Sequence, residues 1–441
     1  MAEDVLYPRF IERRLAEALE DSPVVLIQGP RQCGKTTLAQ LVGTSEYSSE
    51  GIRLSSPRSG RADDYTYFSF DNEVIRAGAE ADPLGFVADL PDRVILDEVQ
   101  RVPALFAALK LEVDRRRLPG RFLLTGSSNV LQTPALSDSL AGRMETVRLH
   151  PLAQCELQRG PDSSYNRDWS PGFLDALFGR GFESRSTERL GKELMERIVS
   201  GGYPAALMRP VGRRRANWYR NYLNAQMERD IPEISRIRSL DVLPRLLRHA
   251  AVQTATLFNL AELAAPFQVS RTTIRDYVTL LERVFLLEQL PPWHSNRLKR
   301  LIKTPKLHLG DTGLACALLG VDAADLMADR ILLGKLLETF AYQELRRQAS
   351  WYADPVSFYH FRDRDGAEVD IVLERGTRAL AGVEIKAGAT VTTADFRALR
   401  KLKAAAGNRF SCGVVLYDGE TSVRFDDGLY AVPLRLLWEL P

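Results

Sequence analysis

The chain has 441 residues, 45% hydrophobic and 26% charged. That is enough for two or three domains of roughly 150 residues each, and it is unlike the composition of disordered, collagenous or disulfide-scaffold chains. Lysine and arginine number 59 against 57 acids, a net charge of +2, so no global field draws the chain to nucleic acid or an anionic membrane and any such contact must be local. Cys33, Cys155, Cys316 and Cys412 form no C-x-x-C pair, which argues against a zinc site or disulfide framework and for a reducing, cytoplasmic location. The opening MAEDVLYPRF lacks a basic, apolar leader, and no apolar run approaches a membrane span, so no membrane partner is expected.

In chain order, Val24–Gln28 reads as a strand, 35–41 as a helix, and 65–70, 93–96 and 122–125 as strands. Strands separated by helical patterns imply a parallel sheet. The Ser-, Gly- and charge-rich stretch 46–64 reads as a mobile surface loop, and 159–171 as a boundary after the core sheet. From 187 to about 288 the patterns are helical. Within them 259–283 splits into a short helix, a turn at 266–269 and a longer helix opened by Ser270 as N-cap, a helix-turn-helix outline. A helix at 332–347 and strands at 357–361, 368–373, 380–386 and 413–417 then suggest a separate α/β domain.

The first strand runs into Gly29-Pro30-Arg31-Gln32-Cys33-Gly34-Lys35-Thr36, followed by Thr37 in helical pattern. This is G-x-x-x-x-G-K-[ST] in the strand-loop-helix setting that a phosphate-binding loop needs. The glycines let backbone N–H groups turn onto phosphates, and the helix start favours the same anion. Lys35 offers a point charge to the β and γ phosphates and Thr36 a hydroxyl to Mg²⁺; Cys33 reads as a small spacer. Asp97 and Glu98 end the next apolar strand, where Asp97 would hold Mg²⁺ and Glu98 would orient or deprotonate the attacking water. After the strand FLLTG, one of Ser127, Ser128 or Asn129 would sense the γ-phosphate, unless it only caps a helix. Arg143 is either an arginine finger for a neighbouring copy or a surface ion pair.

These segments, with SLAGR at 139–143, SGGYP at 200–204, ERDI at 228–231, KLHLGDTGL at 306–314, EVDIV and VEIK, resemble the prokaryotic AAA-type ATPases that join a P-loop core to a winged helix and a restriction-endonuclease-like C-terminal domain. The resemblance implies ATP and Mg²⁺ as cofactors, hydrolysis, a DNA- or stress-related role, and assembly into homo-oligomers; it names no protein partner. The expected fold is α/β: a parallel-sheet P-loop core over 1–158, a helical and winged-helix domain over 172–305, and a restriction-endonuclease-like α/β domain over 306–441.

In the longer helix of the helix-turn-helix, Arg271, Arg275 and Arg283 are offset by Asp276 and Glu282. The unit is therefore either a packing module beside the nucleotide or a DNA contact. Arg213, Arg214 and Arg215 beside Trp218 and Tyr219 form a second local basic run. In AEVDIVL and AGVEIK, period-two alternation puts Glu368 with Asp370, and Glu384 with Lys386, on one strand face. That is the layout of a D…E-x-K nuclease, with Asp370 and Glu384 on Mg²⁺, Lys386 orienting water and Glu338 assisting. Three functions are compatible with the sequence: an Mg²⁺-dependent ATPase that repositions its other domains, a nucleotide-gated switch with negligible turnover, and an ATP-regulated, metal-dependent DNA nuclease.

Overall fold

A computed structural model describes residues 6–43, 46–48, 51–53, 65–128, 140–160, 172–234, 242–267, 269–295 and 304–439. The N-terminal sheet comprises β1 (Val24–Gln28), β4 (Thr66–Ser69), β5 (Val94–Asp97), β6 (Phe122–Gly126) and β7 (Met144–Arg148), all parallel, in the order β4-β5-β6-β1-β7. Every residue of β1 is buried, as a continuous apolar run in a sheet covered on both faces requires. Alternate residues enter opposite cores. Val24 and Leu26 pack with Phe106 and Leu109 of the helix Leu105–Arg115, while Val25 and Ile27 pack with Leu15 of Glu12–Asp21 and Leu38 of Lys35–Gly43. Stretch 46–64 is not wholly loop: β2 (Glu46–Ser48) and β3 (Gly51–Arg53) pair as an antiparallel hairpin, with the β-forming residues Tyr47 and Ile52 in register. The rest of 46–64 lies outside the described residues.

The middle unit holds the helices Lys192–Ser200, Arg213–Ala225 and Val242–Val252. It continues with the short helix Leu260–Ala264 and the longer Arg271–Arg283, whose N-cap Ser270 accepts from Thr273 N–H at 3.1 Å. A three-stranded antiparallel sheet completes it: β9 (Thr256–Leu257), β10 (Leu287–Leu290) and β11 (Lys306–Leu309), in the order β10-β11-β9. The expected boundary at 306 therefore moves, because β11 pairs inside this sheet and the following helix Thr312–Leu319 packs against the middle helices. The next helix, Arg330–Trp351, lies against the C-terminal sheet.

That sheet has seven strands. They are β8 (Arg185–Ser186), β12 (Val356–Arg362), β13 (Glu368–Arg375), β14 (Ala379–Lys386), β15 (Phe410–Tyr417), β16 (Thr421–Asp426) and β17 (Leu429–Pro433), in the order β12-β13-β14-β15-β17-β16-β8. Because β8 and the helix Phe173–Phe178 pack here, the expected start of the middle unit at 172 also moves: the chain visits the C-terminal sheet first, a crossover that a linear reading cannot show. One continuous apolar core joins the middle unit to Arg330–Trp351 and this sheet. Among the described residues no helix is long and apolar enough to cross a membrane.

Candidate functional site

At the C-terminal end of β1 the chain turns sharply. Gln32 and Gly34 have φ of 63° and 99°, a region natural to glycine and costly for glutamine. Gly29 has no room for a side chain, since a Cβ there would lie 2.0 Å from the Leu149 carbonyl oxygen. Pro30 and Cys33 are buried, Arg31 is half-buried, and Gln32 and Thr37 are exposed. Lys35, only 4% exposed, donates from Nζ to the Pro30 carbonyl at 2.9 Å. The ammonium is thus curled under the loop whose N–H groups it would assist. Cys33 is a sealed spacer, with its thiol facing the Leu149 carbonyl at 3.7 Å and its pKa pushed up by burial.

Arg9 clamps this loop from behind. Its Nη1 donates to the Cys33 carbonyl at 2.8 Å, its Nη2 to the His150 carbonyl at 2.6 Å and its Nε to Glu156 at 3.1 Å. Glu156 also caps the helix Gln154–Arg159 by accepting from the Ala153 N–H at 2.9 Å. Sequence reasoning missed both residues, and no local pattern could have found a pair 147 positions apart.

The acids end β5, two strands and about 10 Å across the sheet from β1, because β6 lies between β1 and β5. Asp97 Oδ1 accepts from Thr36 Oγ1 at 2.9 Å and from Thr125 Oγ1 at 2.5 Å, while Oδ2 accepts from Tyr67 at 2.8 Å. Burial and then the Asp97 carboxylate push the Tyr67 hydroxyl up to about 12, so it stays a donor. Glu98 sits at φ 60°, held there by its N–H donating to Thr125 Oγ1 at 3.1 Å. Its carboxylate accepts from Ser127 Oγ at 2.5 Å and from the Gln100 amide, which also donates to Ser127 at 3.0 Å. Burial pushes the Glu98 carboxyl up, but Lys35, the Ser127 and Gln100 hydrogen bonds and Arg31 outweigh it and hold it below its ordinary value. Glu98 is therefore ionised.

Of the three residues offered as γ-phosphate sensors, Ser127 touches Glu98. Ser128 is buried with its carbonyl accepting from Gln28 at 3.1 Å, and Asn129 lies outside the described residues. Gln100 was not anticipated. Arg143 is paired within its own chain, through two hydrogen bonds of 2.6 and 3.0 Å to Asp114.

The segment after β7 connects the loop to the rest of the chain. Leu149 N–H donates to the Gln28 carbonyl at 2.8 Å, and Leu152 N–H to the Gly202 carbonyl at 2.7 Å. Gly202, in turn, donates to Asp311 at 2.9 Å. Asp311 also accepts from Arg347 at 3.0 Å, and Arg347 donates to the Leu152 carbonyl at 2.9 Å and to Glu344 at 2.6 Å. Glu344 closes the circuit by accepting from Gln154 N–H at 2.8 Å. SGGYP and DTGL, far apart in sequence, thus meet at one buried polar junction of all three units. Beside it Arg148 at the end of β7 pairs with Glu288 of β10, and Arg346 reaches the same carboxylate at 3.6 Å. Burial pushes Glu288 up, but Arg346 and Arg148 prevail and hold it at about 2.

In the C-terminal sheet, Asp370 of β13 and Glu384 of β14 lie on adjacent antiparallel strands, and Glu338 comes from Arg330–Trp351. Lys386 donates to Glu384 at 3.0 Å. Burial and the neighbouring Asp370 push the Glu384 carboxyl up to about 8. Unanticipated is Lys306, whose ammonium lies 2.8 Å from Glu338, 2.5 Å from Glu368 and 3.3 Å from Asp370.

Residues 21–158 match the AAA domain family. Residues 191–325 and 333–437 match two domains of unknown function, DUF8612 and DUF4143. Uncharacterized proteins of Mycobacterium bovis and Mycobacterium tuberculosis are each 31% identical over 420 residues, covering 95% of this chain and 82% of theirs. Among solved structures, the Aeropyrum pernix ORC1 protein in complex with DNA is 17% identical, covering 73% of this chain and 95% of that one at a TM-score of 0.28. A DNA polymerase III gamma subunit-related protein of Thermotoga maritima is 14% identical, covering 62% and 97% at a TM-score of 0.23. With its phosphate loop inside the matched AAA segment and relatives aligned over nearly its whole length, the chain belongs to the P-loop AAA-type ATPases that carry a C-terminal domain of unknown function.

Proposed function

We propose that the chain hydrolyses ATP with Mg²⁺ and uses the nucleotide state to reposition its middle and C-terminal units. The observation that carries this reading is an ionised, half-buried Glu98 placed across β6 from the phosphate loop. Thr36 Oγ1 and Asp97 Oδ1, 2.9 Å apart, are the hard oxygen donors that Mg²⁺ takes. When bound, the ion neutralises charge on the β and γ phosphate oxygens. Lys35 exchanges the Pro30 carbonyl for phosphate oxygen. Thr125 and Tyr67 keep Asp97 aimed at the ion site. Glu98 accepts the hydrogen bond of the attacking water and aligns it in line with the γ-phosphorus.

Lys35→Ala removes a charge-assisted bond and is expected to weaken ATP binding about 10- to 100-fold. Calorimetry with Mg²⁺ measures this, and unchanged affinity refutes the assignment of the loop.

The buried junction through Asp311 and Arg347 supports the coupling, because any shift of the segment 149–154 must be met by Gly202, Asp311 and Glu344. DNA is the partner we assign to the helix-turn-helix and its sheet, read together as a winged helix, since Arg271 and Arg275 are exposed on the second helix. Reversing both to glutamate should abolish a change in duplex anisotropy that the parent gives; equal binding by both proteins removes DNA from the reading. A second reading, a switch with negligible turnover, is favoured by the Ser127 and Gln100 hydrogen bonds that already engage Glu98. It requires phosphate release from the parent no faster than from Glu98→Gln.

A further inference from the structure

The C-terminal acids converge, as a metal-dependent phosphodiesterase would require, but the space between them is filled. Lys306 Nζ is within 3.3 Å of Glu338, Glu368 and Asp370, and its side chain is 2% exposed. Both oxygens of Asp370 are engaged, Oδ1 by Lys306 and Oδ2 by the Ile385 N–H at 2.9 Å. Glu384 is turned to Lys386 at 3.0 Å. Among the described residues no group of three or more His, Cys, Asp or Glu is arranged to hold a metal ion. A divalent ion bound through carboxylates needs several free oxygens at 2.0–2.6 Å, and here the Lys306 ammonium takes one oxygen each of Glu338, Glu368 and Asp370, which leaves Glu384 Oε2 as a buried oxygen without a hydrogen-bond partner.

Lys306 belongs to a different unit from the acids it meets. It opens β11, where it pairs with Leu257 of β9 and Leu290 of β10, whereas Glu368 and Asp370 lie on β13 and Glu338 on the helix beneath. Two residues along β11, His308 is fully buried with Nε2 making no hydrogen bond and 4.0 Å from Glu338, so the strand brings a second nitrogen towards one of the same carboxylates. Five residues beyond Lys306, Asp311 is fixed in the junction to the AAA core.

We infer that Lys306 is the resident cation of this cluster: an ammonium delivered by the middle sheet stands where a divalent ion would sit, docks the C-terminal sheet to the middle unit, and leaves that sheet without metal-dependent phosphodiester cleavage. This conclusion does not depend on the ATPase reading, since none of its residues lies in the nucleotide site and the test is run with the carboxylate of that site removed.

The test is a calorimetric titration of the full chain with Mn²⁺, carrying Asp97→Asn to remove the carboxylate of the nucleotide site, with and without Asp370→Asn. The two titrations should superimpose, and neither protein should nick supercoiled plasmid in Mn²⁺. A Mn²⁺ site lost with Asp370→Asn, or nicking that Asp370→Asn abolishes, overturns the inference. Lys306→Met gives an independent readout. It strands buried carboxylates without their counter-charge, so thermal midpoint or soluble yield should fall, and adding Glu338→Gln with Asp370→Asn should recover at least half of the loss. A Lys306→Met chain as stable as the parent, or a loss that the two amides do not relieve, overturns the docking role.

Discussion

Glu98→Gln is expected to bind ATP with Mg²⁺ about as tightly as the parent and to release phosphate at least about 100-fold more slowly, the range in which a positioned general base contributes. The amide keeps the size of the side chain and can still pair with Ser127 and Gln100, so the loop, Lys35 and Asp97 are undisturbed. It lacks the negative charge that Lys35 and those hydrogen bonds sustain against burial. Loss of turnover without loss of binding is the signature of an interaction made with the attacking water and not with the bound triphosphate. Calorimetry and single-turnover phosphate release separate the two quantities. A variant that turns over at the parental rate shows that another group activates water; one that loses affinity in step with rate shows that Glu98 supports the site's architecture.

What the sequence disclosed follows from the range of each interaction. The loop at 29–36 was legible because strand, glycines, lysine and helix start are contiguous, and β1 because burial on both faces demands an unbroken apolar run. β7 was missed because METVR mixes charge with apolar residues, as an edge strand with mostly half-buried positions can. The Ser270 cap was readable from its own neighbours, whereas Gln100 declares nothing until folding sets it beside Glu98 and Ser127. The hairpin acids Asp370 and Glu384 followed from strand alternation. The ammonium among them did not, because Lys306 stands 32 and 64 positions from two of its partners and looks like an ordinary charge at a strand start. The same limit misplaced the boundary at 306: texture along the chain changes there, but pairing in space decides which sheet β11 joins.

Asp311→Asn is expected to cost about 3–5 kcal/mol of stability, the range for breaking a buried ion pair from one side. Asp311 is fully buried and N-caps the helix Thr312–Leu319. Asparagine caps nearly as well as aspartate, so loss of the cap alone predicts little. The other contacts decide the outcome. Oδ1 accepts from the N–H groups of Gly313 and Leu314, and Oδ2 from the Gly202 N–H and the Arg347 guanidinium. Whichever way the amide is turned, its NH₂ faces two donors, and Arg347 is left with Glu344 as its hydrogen-bonded carboxylate among the described residues. The neighbouring backbone cannot yield, because a Cβ at Gly202 would meet the Leu152 carbonyl at 2.5 Å and Gly201 is held at φ 63°. Urea unfolding followed by circular dichroism measures the loss, and a change under about 1 kcal/mol, within the usual range of a neutral hydrogen bond, would reduce the junction to ordinary packing. Because Leu152 and Gln154 lie on the path from the phosphate loop to Glu344, the surviving folded protein should still bind ATP. It should no longer show the nucleotide-dependent change in amide exchange expected along Arg330–Trp351 in the parent; an unaltered exchange response in the variant would place the coupling elsewhere, with the Arg148–Glu288 pair as another contact between β7 and the middle sheet.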